Sequence, residues 1–221
     1  TYTVVLGPAV SADAGYNGIN PADVVVTVID NDDTRVATNA QLLYTFDEGA
    51  GSTVNNVGLL GSALDLQIRD ANGSTYAINT AGTSWNNGYL AITGTNKVIS
   101  QAAATPTLAA AFSASSAMTI EAWVRPTSLN IADSGPARIV GYTDPTNVTG
   151  ARNFHLGMGN DAVNPGEAVG QPETEYNARL RVNTVGDGNG TSPDVFTPVN
   201  AAQLALQHVV FVHRSDGSEQ I

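Results

Sequence analysis

A chain of 221 residues is long enough to bury a full core and to hold one or two domains. It has no Cys, which excludes disulfides and thiolate metal sites. Nine Lys plus Arg against twenty Asp plus Glu leave a net charge of −11, which excludes nucleic acid and anionic membrane surfaces as partners, because neutralising phosphate takes clustered cations.

Divalent cations are the natural counterparts of such acidity, although the same charge also keeps an extracellular protein soluble. No window approaches the roughly 18 consecutive apolar residues that span a bilayer, so membrane insertion is not expected. Abundant Thr, Asn, Gly and Ala, with Lys97 the only Lys, favour strands and turns over surface helices.

In chain order, Thr3 to Leu6 is a short β-prone run, and Asp23 to Ile29 (DVVVTVI) reads as a strand apolar on both sides, as between two packed sheets. Ala14 to Pro21 between them is dense in turn residues. Two strands make no stable sheet alone, which predicts partner strands upstream or in another chain.

The segment SADAGYNGINPADVVVTVIDNDD resembles the end of the Calx-beta and cadherin-like sandwich modules of bacterial surface proteins. In such modules the acidic run after the last strand gives oxygens to calcium between domains. By position the resemblance points to Asp30, Asp32 and Asp33, and closely spaced carboxylates suit a cation that takes six to eight hard oxygen ligands. The other reading of DNDD is a solvated linker.

A second domain begins at Gln41. Leu42, Tyr44 and Phe46 alternate with Leu43 and Thr45 as a strand that stops at Asp47-Glu48-Gly49. Leu64 to Ile68 and Gly88 to Thr93 are further strands, with Trp85 just before the second. Residues 101–112 are alanine-rich, and Pro106 limits them to a helical turn or two.

Ala117 to Ser128 (AMTIEAWVRPTS) has the clearest period-two pattern and is expected as the central strand, with Met118, Ile120, Ala122 and Val124 facing the core. Ala137 to Tyr142, Asn153 to Met158, Asn177 to Asn183 and Gln207 to Arg214 follow, separated by spacers rich in Gly, Pro, Asn and Asp. Strands so spaced, with almost no helical periodicity, predict an antiparallel sandwich or jelly roll.

The order LLYTFDEGAG, GYLAITG, AMTIEAWVRPTS, ARIVGYTD, NFHLGMG and QHVVFVHRSDGS resembles the laminin-G-like jelly roll of the concanavalin A-like lectin and glucanase superfamily. Two departures stand out: Leu206 and Gln207 precede His208 where the family often has an aromatic, and Asn55 and Asn56 stand where it often has an acid. The family also continues into further strands where this chain stops at Ile221, which predicts a segment of a longer polypeptide or completion by another chain.

The expected fold is all-β: an antiparallel concanavalin A-like jelly-roll sandwich over residues 41–221, preceded over residues 1–33 by two strands of an Ig-like or Calx-beta-like sandwich.

Candidate chemistry follows from the alternation. Glu121, Trp123 and Arg125 lie on the non-core face of their strand, and His155, Arg179 and Arg181 lie opposite the apolar positions of theirs. If these strands are neighbours, one sheet face shows an aromatic, a carboxylate, a His and several guanidiniums, a composition suited to stacking on sugar faces and bonding their hydroxyls. Alternatively Trp123 fills a second small core and Glu121 pairs with an Arg across strands.

His208 and His213 stand at odd spacing, so one metal cannot take both from an unbroken strand. The family alone marks Asp47 as a calcium candidate. Asp187 to Gly190 is either a calcium-binding turn or a loop tip.

The E-x-D-x-x-E pair of the related glucanases is absent, and Glu173 and Glu175 read as solvated charge in a Pro-rich loop. The resemblance implies a non-enzymatic adhesion, binding or structural module of a large secreted or surface bacterial protein. Calcium would stiffen it, and its partner would be a glycan, an extracellular protein or a copy of itself. The alternatives are a polysaccharide-active enzyme of the same fold and a self-assembling filament or surface-layer subunit.

Overall fold

The computed structural model describes residues 2–26, 37–70, 77–94, 96–100, 105–129, 136–142, 153–159, 174–181 and 194–221. The chain divides into two compact units, Thr1–Ala40 and Gln41–Ile221.

In the first unit β1 (Tyr2–Val4) and β2 (Val24–Val26) pair antiparallel, with Val4 opposite Val24. The connection closes on itself: Ala9 N–H donates to Ile19 O at 2.9 Å, and Gly18 N–H, at a left-handed φ of 82°, donates to Ala9 O at 2.8 Å. Val24 and Val25 are exposed, so the described part of DVVVTVI is not buried on both faces as its composition predicts. Residues 27–29 lie outside the described residues.

The second unit is an all-β sandwich of antiparallel sheets. Its early strands are β3 (Thr53–Val54), β4 (Leu66–Arg69), the hairpin of β5 (Thr83–Asn86) and β6 (Tyr89–Ile92), and β7 (Lys97–Ser100). β3, β4 and β7 form one sheet in that order. After helix α1 (Thr105–Ser115) come β8 (Met118–Val124), β9 (Ala137–Tyr142), β10 (Asn153–Met158), β11 (Tyr176–Arg181), β12 (Asp194–Phe196), β13 (Gln207–His213) and β14 (Glu219–Gln220).

Two of the sheets, ordered β12-β11-β10-β9 and β14-β13-β8, face each other across the main core. Leu156, Met158, Tyr176 and Ala178 come from one; Val209 and Phe211 come from the other, with Met118, Ile120, Ala122 and Val124 packed against them. The period-two pattern of β8 therefore sends its apolar side inward. Among the described strands, however, β13 is central in that sheet and β8 lies at its edge, which corrects the central place expected for AMTIEAWVRPTS.

A second cluster closes one end of the sandwich, where α1 brings Leu108 and Phe112 onto Leu64, Tyr142 and Phe154. Phe112 meets Phe154 edge-on at 5.1 Å, and Tyr142 stacks on Phe154, its cross-strand neighbour, at 5.5 Å. The helix runs eleven residues, longer than Pro106 allowed in the sequence reading. Pro106 stands in the first turn, where a missing N–H breaks no helical bond.

Residues 41–46 do not form the expected strand. Tyr44 makes only an isolated bridge to Asn56, and Phe46 sits at φ 57°, a left-handed turn that ends extended pairing. Asn56 holds this turn together: its Oδ1 accepts from Leu43 N at 2.8 Å and Gly58 N at 3.0 Å, its Nδ2 donates to Gly61 O, and its N–H donates to Asp65 Oδ1. Asn56 is a buried structural clamp.

The Tyr44 hydroxyl donates to Leu64 O at 2.7 Å, and burial followed by the Asp65 carboxylate pushes its pKa from 10.0 up to about 12. Because the folded value is the higher one, this phenol contributes stability that is intact below pH 10.0 and lost as pH rises through about 12. Tyr44→Phe is expected to flatten alkaline unfolding over that window, as followed by fluorescence. An unchanged alkaline limb would refute the assignment.

Candidate functional site

Cross-strand register assembles an exposed cluster on the outer face of β8 and β13. His208 lies directly opposite Trp123, and their rings stack at 4.5 Å and 11°. His208 Nε2 also lies 3.1 Å from Glu121 Oε1, two positions back on the same face of β8. Trp123 is 48% exposed, so His208 covers part of the indole and solvent reaches the rest.

The same exposed stripe continues past the end of β8. The Arg125 guanidinium carbon stands 5.9 Å from the ring centroid of Tyr89, which opens β6 and is 45% exposed. Indole, imidazole, carboxylate, guanidinium and phenol thus share one open surface.

The start of β13 is fixed by Gln207. Its Oε1 accepts from the Tyr176 hydroxyl of the facing sheet and from Gln203 N, both at 2.7 Å, and its Nε2 donates to Ala201 O at 2.8 Å. This amide ties the two sheets together next to His208.

His155 and Arg179 do not join this cluster. They are direct cross-strand neighbours on β10 and β11, and they alternate with Leu156 and Ala178, which pack into the core from the opposite sheet. Their face therefore looks away from that of Trp123. The backbone of Arg181 continues β11 opposite Asn153.

Arg179, Asn177 and Glu175 are all buried, so Glu175 is not the solvated charge the sequence suggested. Asn177 Nδ2 donates to Gly159 O at 2.6 Å, tying the two strands together on that face.

Glu121 pairs with His208 rather than with an Arg. His213 is turned to the other side of β13, where its Nδ1 lies 3.0 Å from Glu219 Oε1. An open depression of about 550 Å³ sits at that end of β8 and β13, where His213 is engaged with Glu219 and Arg214 with Gln220 at 3.3 Å. The adjoining hairpin turn is held by Asp216, whose carboxylate accepts from the hydroxyl and N–H of Ser218 and is thereby kept below the usual carboxylate range.

Asp30, Asp32, Asp33 and the Asp187 turn lie outside the described residues. Asp47 is exposed and accepts from the Thr45 hydroxyl at 2.7 Å. Among the described residues no three His, Asp or Glu side chains converge to hold a metal ion.

His208 and Tyr89 were missing from the sequence-derived site. The alternation of HVVFVH marks His208 as outward-facing, but its partner depends on a register across more than eighty residues. No protein-family model, curated protein or solved structure matches the chain.

Proposed function

We propose that the second unit is a laminin-G-like binding module of a secreted or cell-surface protein, and that it holds a glycan on the outer face of β8 and β13. The observation that carries this reading is the half-exposed Trp123 ring held in place by His208 and Glu121. A ring already fixed in position loses little rotamer freedom when a sugar stacks on it. Arg125 and Glu121 beside it offer charge-assisted hydrogen bonds to hydroxyls. In this reading the first unit is the end of a Calx-beta-like or cadherin-like module, and calcium on Asp30, Asp32 and Asp33 stiffens the junction.

The test is a glycan panel followed by calorimetry on the intact chain. Trp123→Ala is expected to weaken binding about tenfold or more. Because the change also removes the stack on His208, unfolding stability should fall by about 0.5–1.5 kcal/mol, well short of unfolding the unit. Binding that survives Trp123→Ala unchanged would sink the site, and release of reducing sugar would sink the non-enzymatic reading.

The junction has its own test. Excess calcium is expected to raise the melting temperature and EDTA to remove the gain, because a ligand of the folded state must stabilise it. Identical melting curves in both would dismiss calcium.

A further inference from the structure

We infer that the face of Trp123 takes an uncharged, linear glycan chain rather than a single terminal sugar, an inference that rests on the glycan reading above. Two exposed rings from separate elements carry it. Trp123 lies on β8 and Tyr89 on β6, and both are about half exposed, at 48% and 45%. Arg125, two residues beyond Trp123, connects them: its guanidinium lies over the Tyr89 ring, with the carbon 5.9 Å from the centroid.

One sugar ring covers one aromatic ring. The two rings stand on different strands, so a single sugar on Trp123 leaves Tyr89 idle, whereas a chain lying along the stripe stacks on Trp123 with one unit and on Tyr89, beside Arg125, with a later one. The Arg125 guanidinium brings N–H donors to the hydroxyls of that later unit.

Charge selects against acidic chains. His208 is engaged with Glu121, so among the described residues of this face Arg125 is the cation offered to a ligand. One guanidinium does not offset the long-range repulsion of a polyanion by a chain of net charge −11. An uncharged chain avoids that penalty and keeps both stacking contacts.

The experiment titrates the full chain by calorimetry with cello-, xylo- and manno-oligosaccharides of roughly one to six units, and with oligogalacturonates of equal length as the acidic counterpart. Affinity for at least one neutral series is expected to rise about tenfold or more from the single sugar to the longer oligomers. Tyr89→Ala should remove that rise while leaving the single sugar unaffected, and the oligogalacturonates should bind more weakly.

Length-independent binding that is still lost in Trp123→Ala overturns the chain inference and leaves the glycan reading standing. So does equal weakening of short and long oligomers by Tyr89→Ala, or tighter binding of the acidic series. No binding by any oligomer, with circular dichroism showing the fold intact, overturns both.

Discussion

Phe211→Ala is expected to destabilise the second unit by about 3–5 kcal/mol, the range for truncating a buried aromatic that leaves a cavity. Phe211 is fully buried in β13, the middle strand of its sheet. Its register partner is Ile120 of β8, and from the facing sheet Leu156, Met158, Tyr176 and Ala178 share its cluster.

The hole would thus open at the centre of the sandwich, walled by strands whose hydrogen-bonded ladders limit collapse. Against a typical domain stability of about 5–15 kcal/mol, such a loss removes about a fifth or more of the whole. Urea denaturation read by tryptophan fluorescence reports on this unit alone, because the two Trp residues, Trp85 and Trp123, both lie in it. A midpoint unmoved by Phe211→Ala would mean that the two sheets do not share this core.

Gly157→Ala should cost about 1–3 kcal/mol for the opposite reason, overpacking. A methyl group at Gly157 would stand 3.0 Å from Asn177 Oδ1, 3.1 Å from Ala137 O and 3.2 Å from Pro136 Cβ. The crowding has a structural origin, since the pairing of β9 with β10 shifts register between Leu156 and Gly157. Asn177, directly across on β11, is fully buried and reaches over to bond Gly159 O.

Relief of this strain is limited, because the carbonyl of Ala137 belongs to the backbone. Asn177→Ala removes one of the three clashing atoms, so the double variant with Gly157→Ala should cost less than the sum of the single changes. Strict additivity in that cycle would show that Asn177 and Gly157 do not press on each other.

Legibility in the sequence differed from element to element. Ala137–Tyr142 and Asn153–Met158 form strands with the bounds their apolar alternation predicts. β8 and β13 differ from expectation only at their ends. β3, β12 and β14 are two or three residues long and have no room for a pattern to register. Residues 41–46 misled because alternation of Leu42, Tyr44 and Phe46 describes burial, while the backbone at Phe46 turns left-handed to suit bonds made by Asn56 and Leu64.

The site divides in the same way. That Trp123, Glu121 and His208 point outward follows from their own strands. That Glu121 answers to His208, that Tyr89 lies under Arg125, and that His155 and Arg179 belong to another sheet face does not. An all-β sandwich, its strongest strands and the inward side of each are written in the chain, because a period of two is a local property that each strand carries alone. Which outward residues share a surface depends on how the strands assemble. Register and sheet membership arise from packing between segments far apart in the chain, and no single strand encodes its neighbour.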